Sequence, residues 1–88
     1  MEYTYFIFRG KPGNYVKATY RLAEQIVSGM DLNKRWYRDD TADYCYKLIK
    51  ADGKRIIIPE LYELADLVIG AIYDKTGIGY DPSRFYRF

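Results

Sequence analysis

The sequence predicts a single small α+β domain, with two helices packed on one face of an antiparallel sheet. The chain has 88 residues and 49% of them are apolar, so it can bury one modest hydrophobic core. Two segments, 15–28 and 59–76, carry apolar residues at helical spacing, whereas other segments are rich in β-branched and aromatic residues. The predicted order is β-α-β(β)β-α over a domain spanning 1–78. An aromatic and basic tail, which we expect to be docked, occupies 79–88.

The N-terminal part of this domain is predicted to form one strand and one helix. Residues 2–9 combine high β-propensity with apolar side chains on both faces, which is typical of a covered strand. Asn14 is a good N-cap for a helix over 15–28, and Gly29 suits the left-handed position that ends a helix. The apolar stripe of this helix consists of Val16, Tyr20, Ala23, Val27 and Met30.

The Asp-Gly pair at 52–53 predicts a β-hairpin. Asp-Gly favours the two-residue turn that joins antiparallel strands, here strands over 43–51 and 54–58. In the register that this turn sets, Ile49 lies opposite Ile56 on the face that we expect to be the core.

The second helix has signals at both ends. Pro59 suits the first helical position, and the helix is predicted to run to Thr76. Gly77 is expected to end it, with Ile78 closing a Schellman contact. Its predicted buried stripe consists of Leu61, Leu64, Ala65, Val68 and Ile72.

The aromatic composition points to a binding protein. Eleven residues are Tyr and none is His. Tyr joins a large apolar surface to a polar tip and is enriched at interfaces, whereas His is the commonest general acid-base and metal ligand. We therefore expect a non-enzymatic protein that binds a protein target and holds neither a metal nor a cofactor.

The single cysteine, Cys45, bears on chemistry and on location. One cysteine excludes an internal disulfide and a multi-cysteine metal site, and we interpret it as a buried, unreactive thiol. A lone thiol fits a reducing cytosol, and no apolar run approaches the length of a membrane span. The sequence therefore predicts a cytoplasmic protein without membrane contact.

The densest group of cations and aromatic side chains lies at 34–38. Trp, Tyr and Arg dominate the energetics of protein interfaces, so we predict a partner-binding surface here. The same segment also fits a short strand, with Asp39 and Asp40 in the turn that follows. In that interpretation Trp36 belongs to the core. The predicted partner-binding residues are Lys34, Arg35, Trp36, Tyr37 and Arg38.

The outer face of the predicted hairpin carries a second group of basic and aromatic residues, namely Tyr44, Tyr46, Lys50 and Arg55. Three interpretations are open for this face. Its residues are half-buried members of a two-sided sheet, or they contact a protein, or they stack the bases of single-stranded nucleic acid.

The glycine-containing loop after the first predicted strand is a candidate anion site. Gly10, Lys11 and Gly13 precede the first predicted helix, and Lys17 lies in its first turn. Exposed amides at such a position can hold an anion, although a plain turn explains the same residues.

A small α+β domain that is rich in tyrosine, lacks histidine and shows no catalytic constellation resembles the small phage-encoded inhibitors of host defence of the anti-CRISPR type. The resemblance covers the size and composition of the whole chain. It implies stoichiometric binding to a nucleic-acid-handling machine in the host cytoplasm, so that the machine's substrate surface is blocked. The alternative is a small module that binds RNA or single-stranded DNA through its basic aromatic face.

Overall fold

Three helices make up the regular structure of residues 15–79. The computed structural model describes residues 15–79, in which α1 spans Tyr20–Val27, α2 spans Arg38–Ala51 and α3 spans Ile58–Thr76. The longest helix, α3, packs against both α1 and α2. It is therefore the central element of the fold.

The contacts of α3 with two helices explain the width of its buried face. The five apolar residues predicted as its stripe are all buried, which confirms that prediction. Ile69 and Ala71 are buried as well, because α3 has a neighbour on each of two sides. Leu64, Ala65 and Val68 are completely excluded from solvent and form the centre of the core.

The predicted α+β fold with an antiparallel sheet is wrong, because residues 15–79 form helices and no strand. Tyr15 and Arg55 form an isolated parallel bridge, in which the Val16 N–H donates to the Arg55 carbonyl at 2.9 Å. The predicted strand over 2–9 and the tail after Gly79 lie outside the described residues.

The first helix is shorter than the predicted helix over 15–28. Its N-cap is Thr19, whose hydroxyl accepts a hydrogen bond from the Leu22 N–H at 3.0 Å. Ser28 caps the other end, and Gly29 does not adopt the left-handed conformation that we expected there. A side-chain cap inside the predicted helix thus fixes where α1 begins.

The buried face of α1 agrees with the predicted stripe except at its start. Ala23, Val27 and Met30 are buried as expected, and Ile26 joins them. Tyr20, in contrast, is 54% exposed, because it is the first residue of the helix and lies off the face that meets α3.

The helix α2 replaces the predicted strand over 43–51, and the segment 34–38 forms no strand either. Asp39 and Asp40 lie in the first turn of α2 and not in a loop. The positive end of the helix dipole stabilises their negative charges there. An ion pair of 2.9 Å between Asp43 and Lys47 joins successive turns. The buried residues of α2 recur at helical spacing: Thr41, Ala42, Cys45 and Ile49.

The Asp-Gly pair ends α2 and does not form a hairpin turn. Gly53 adopts φ 76°, the left-handed conformation that a type I′ turn would also require. Its N–H donates to the Lys50 carbonyl at 2.9 Å, and the Lys54 N–H donates to the Ile49 carbonyl at 3.0 Å. Asp52, Gly53 and Lys54 therefore complete a Schellman motif at the end of a helix.

The predicted pairing of Ile49 with Ile56 across a hairpin is wrong in geometry, although both side chains are buried. Ile49 belongs to the buried face of α2, whereas Ile56 lies in the short connection between α2 and α3 and is completely excluded from solvent. Ile57, also buried, is the N-cap residue of α3. The reversal at the end of α2 thus returns the chain directly to the core.

The predicted C-terminal end of α3 is confirmed, whereas the helix begins at Ile58, one residue before the predicted start at Pro59. Pro59 lies in its first turn, and Gly77, with φ 71°, ends it by donating its N–H to the Tyr73 carbonyl at 2.8 Å. The predicted Schellman contact is wrong, since the Ile78 N–H donates to the Thr76 hydroxyl at 3.0 Å and the Ile78 side chain is exposed. The single bond from Gly77 is the simpler left-handed helix ending.

We expect Gly53→Val to lower the free energy of unfolding by about 1–2 kcal/mol, the cost of a left-handed residue that has a Cβ. A Cβ at this position would meet no atom within 4 Å, so the loss reflects backbone strain alone. Gly53→Asn is the matched control, because Asn tolerates this conformation and should lose less. Urea unfolding measures both variants, and equal losses would contradict the Schellman assignment.

Candidate functional site

The aromatic rings of Trp36 and Tyr44 pack against each other and face the protein interior. Their centroids are 5.3 Å apart with an interplanar angle of 60°, and both side chains pack against the core. The Trp36 indole N–H donates to the Asp31 carbonyl at 2.9 Å, and the Tyr44 hydroxyl donates to the Gly29 carbonyl at 3.3 Å. These rings therefore hold the α1–α2 loop onto α2.

Arg38, the last residue of the predicted cluster, joins the start of α2 to the middle of α3. Its guanidinium makes two hydrogen bonds to the Asp66 carboxylate, from Nε at 2.9 Å and from Nη2 at 3.2 Å. The guanidinium carbon also lies 4.8 Å from the centre of the Tyr62 ring. Because this fork is bidentate and half-buried, we assign Arg38 an architectural part in the fold.

The rest of the predicted cluster faces solvent and forms what we call the N-terminal edge of α2: Lys34, Arg35 and Tyr37. The Tyr37 ring is 55% exposed, and the guanidinium carbon of Arg35 lies 5.4 Å from its centre. Tyr37 is also the N-cap residue of α2, and its carbonyl accepts bonds from both the amide and the hydroxyl of Thr41. An exposed aromatic side chain thus stands on a fixed backbone.

The other end of α2 carries a surface pocket of about 280 Å³, which we call the C-terminal pocket. Helical spacing places Tyr46 and Lys50 on one side of α2, with the Lys50 ammonium 5.8 Å from the Tyr46 ring centre. The reversal at Gly53 brings the next residues beside them. The pocket is lined by Tyr46, Ile49, Lys50, Gly53, Lys54, Arg55 and Ile56.

The predicted basic aromatic sheet face is only partly preserved. Tyr46, Lys50 and Arg55 do come together at the pocket, but Tyr44 does not, because residues two apart on a helix point in different directions. The hairpin interpretation placed Tyr44 and Tyr46 on the same face because side chains alternate along a strand. It also left out Lys54, whose place beside the pocket follows from the helix ending.

The predicted anion loop is described only at Lys17, because Gly10, Lys11 and Gly13 lie outside residues 15–79. Lys17 is exposed and lies before α1, close enough to Glu63 for its charge to favour the Glu63 carboxylate. The structure thus brings Lys17 next to acidic residues of α3.

The acidic residues at the start of α3 contact the segment before α1, which the sequence pattern did not predict. Glu60 accepts a hydrogen bond from the Ala18 N–H at 3.3 Å, which ties the segment before α1 to α3. A hydrogen bond to Glu60, with partial burial and the Glu60 charge, raises the pKa of Glu63. Burial and then a hydrogen bond to Glu60 raise the pKa of Tyr15 to about 12. The sequence analysis had no signal for this contact between residues far apart in the chain.

The thiol of Cys45 is completely buried on the inner face of α2. Burial raises its pKa to about 12, so the reactive thiolate is disfavoured at neutral pH. The predicted burial of this thiol is confirmed.

Cys45 should react with a thiol reagent such as DTNB at least about 100-fold more slowly in the native protein than in urea. The reagent can reach the sulfur only after the structure opens, and opening is rare in a protein stable by several kcal/mol. The reaction is followed by the absorbance of the coloured thiolate that DTNB releases. Equal rates in both conditions would show that the α2–α3 contact is open in solution.

Glu63→Gln should slightly stabilise the protein at neutral pH. Because the pKa of Glu63 is raised in the folded state, its contribution favours folding below the ordinary value of 4.5 and is lost as the pH rises through the raised pKa. The gain should be well under about 1 kcal/mol, since the side chain is exposed and solvent screens it. Thermal unfolding between pH 4 and 7 measures it.

The control for this variant is Glu24→Gln, which removes the same charge from an exposed position on α1. A gain from Glu63→Gln that persists unchanged at pH 4, or that Glu24→Gln matches at pH 7, would contradict the proposed repulsion between Glu60 and Glu63.

Comparisons with known proteins add no relative: no family model, no curated protein and no solved structure matches this chain. Within residues 15–79, no helix is both long enough and apolar enough to cross a bilayer. In the same range, no three acidic or cysteine side chains are grouped so that they could hold a metal ion.

Proposed function

We propose that the protein is a non-enzymatic binding module that forms a stoichiometric complex with a protein partner through the N-terminal edge of α2. The observation that carries this proposal is the environment of Tyr37. Its ring is exposed and lies beside Arg35, while its backbone is held by Thr41. Tyr and Arg are the residue types that most often dominate binding energy at interfaces.

The fixed backbone at Tyr37 favours binding because it lowers the entropy lost in a complex. A Tyr side chain has few rotatable bonds, so little freedom is lost when its ring is immobilised against a partner. The two bonds from Thr41 to the Tyr37 carbonyl already fix the main chain, at 2.9 Å from the amide and 2.7 Å from the hydroxyl. The edge therefore has the character of a preorganised anchor.

The charge distribution favours an acidic partner surface. Residues 1–58 carry eleven Lys or Arg and seven Asp or Glu, a net charge of +4, whereas residues 59–75 carry one cation and four acids. Asp66, one of those acids, is held by Arg38. Such polarity orients an approaching partner and raises the association rate.

The alternative function, binding of single-stranded nucleic acid, has less support. A stacking surface needs aromatic faces that are open to successive bases. Trp36 and Tyr44 pack against each other, and Arg38 covers the ring of Tyr62. The size and composition of the chain favour an inhibitor of a nucleic-acid-handling host machine in the cytoplasm. In this proposal the machine is the protein partner that Tyr37 contacts.

The variant Tyr37→Ala tests the proposal, and Tyr20→Ala is its control because the two rings are almost equally exposed, at 55% and 54%. Immobilised wild-type protein is used to isolate the partner, and calorimetry then measures affinity and stoichiometry. Tyr37→Ala should weaken binding by about 2 kcal/mol or more at an unchanged helical circular dichroism spectrum.

A fixed equivalence point in the calorimetric titration is the expected result for wild type. Equal loss of affinity in Tyr37→Ala and Tyr20→Ala would move the contact away from this edge. A partner that stays covalently modified after the protein is removed would overturn the non-enzymatic assignment.

A further inference from the structure

We propose that Asp52 and Gly53 form a site of spontaneous backbone modification, at which Asp52 is converted to isoaspartate when the C-terminal end of α2 opens. Among the Asp residues of the sequence, Asp52 alone is followed by Gly. Because Gly has no Cβ, its nitrogen is unhindered and its backbone reaches conformations that are closed to other residues. The ending of α2 therefore contains the Asp whose following nitrogen is most accessible.

The modification proceeds through a cyclic imide that the two residues form themselves. The Gly53 nitrogen forms a bond to the side-chain carbonyl carbon of Asp52. One carboxyl oxygen leaves as water, with the amide proton and one proton from solvent. A second water molecule then opens the ring. Attack at the side-chain carbonyl restores Asp52, whereas attack at the main-chain carbonyl gives isoaspartate, in which the chain continues through the side chain. The product contains the same atoms as the starting protein, so water is the only other reactant.

The Asp52 side chain lies where both the ring and the attacking water can be accommodated. It is 70% exposed, and its Oδ2 atom lies 3.3 Å from the Lys54 ammonium. An exposed ion pair of this kind contributes little to stability. The pair therefore does not prevent the carboxylate from rotating toward the Gly53 nitrogen.

The helix ending restrains the same reaction in the folded protein. The attacking nitrogen is held toward the helix, because the Gly53 N–H donates to the Lys50 carbonyl at 2.9 Å. The next amide, that of Lys54, donates to the Ile49 carbonyl at 3.0 Å. Asp52 has ψ 5°, and because the substituents of its Cα are tetrahedral, closing a five-membered ring needs ψ to turn far from this value. That turn breaks both hydrogen bonds, so the reaction requires local opening of the helix end.

Isoaspartate at position 52 does not fit the helix ending. The main chain gains one carbon between Asp52 and Gly53, which displaces the amides that form the Schellman bonds with the last turn of α2. Ile56 enters the core shortly after this turn and is completely excluded from solvent. The longer main chain therefore disturbs the connection between α2 and α3, and we expect the modified protein to unfold at a lower temperature.

The first test measures the rate of modification in the full chain at neutral pH, in buffer and in guanidinium chloride. Electron-transfer fragmentation in a mass spectrometer distinguishes isoaspartate from Asp at each position. We expect isoaspartate at position 52 to form at least about tenfold more slowly in the native protein, because the helix end must open first. Asp43 is the internal control, since it is exposed on α2 but is followed by Tyr44.

Three results of this experiment would overturn the proposal. Equal rates in the two solvents would show that the helix ending does not restrain the reaction. A denatured sample without isoaspartate at position 52, or with equally fast formation at Asp43, would show that this site is not especially reactive.

Two variants test the roles of the two residues. Asp52→Asn should form the same ring with loss of ammonia, so its modification is measured as a gain in mass and should also be slower in the native protein. Gly53→Asn tolerates the left-handed conformation but places a Cβ beside the attacking nitrogen. It should lower the rate of isoaspartate formation in the denatured chain at least about tenfold. An unchanged rate in Gly53→Asn would refute the part assigned to Gly53.

The last measurement concerns the effect of the modification on the fold. Aged wild-type protein is separated by chromatography into modified and unmodified fractions, and circular dichroism follows the thermal unfolding of each. We expect the fraction with isoaspartate at position 52 to have a Tm at least about 4 °C lower. Equal values would show that the helix ending accepts the longer main chain, contrary to the inferred effect on the α2–α3 connection.

Discussion

The left-handed turn at Gly53 determines how the two longer helices meet. Its Schellman bonds end α2 and reverse the chain, so that Ile56 enters the core only a few residues later. α3 then begins at Ile58, with Pro59 in its first turn, and its buried face packs against α2. Farther along, Arg38 at the start of α2 reaches Asp66 in α3. The two helices are therefore joined at one end by a tight connection and farther along by a bidentate ion pair.

The same connection also positions the segment before α1. Arg55 lies between the reversal and α3, and its carbonyl accepts the Val16 N–H, while Glu60 accepts the Ala18 N–H. These two bonds hold the chain where it enters α1, and Thr19 begins the helix immediately afterwards. α1 is too short to be stable alone, so these bonds and its contact with α3 stabilise it.

The sequence predicted α3 well but did not predict α2. Two signals in the α2 segment, the Asp-Gly pair and the alternation of apolar residues, are compatible with a hairpin as well as with a helix. Gly53 needs a positive φ both in a hairpin turn and in a helix ending, so the Asp-Gly pair alone could not separate them. The alternation of Tyr44, Tyr46 and Leu48 then favoured strands. Ala42, Cys45 and Ile49 show the helical spacing that actually decides burial.

Charged residues at both ends of that segment favour a helix over the strand that the alternation of apolar residues predicts. Asp39 and Asp40 at the start, and Lys50 at the end, match the helix dipole. For the candidate site, the sequence could identify the cluster at 34–38, since its cations and aromatic residues are adjacent in the chain. It could not separate Trp36 and Arg38 from Tyr37, because their partners, Asp31, Tyr44 and Asp66, are set by tertiary contacts.

The tyrosine residues of the protein are held in two different ways. Tyr44 donates its hydroxyl to the Gly29 carbonyl and its ring packs against the core, so this ring is part of the scaffold. A tyrosine whose polar tip is satisfied inside the protein contributes packing and is lost to recognition. Tyr37 reverses this arrangement, because its backbone is bonded and its ring is exposed. An exposed tyrosine therefore differs from a structural one in which half of the residue the fold holds, and composition alone does not record that difference.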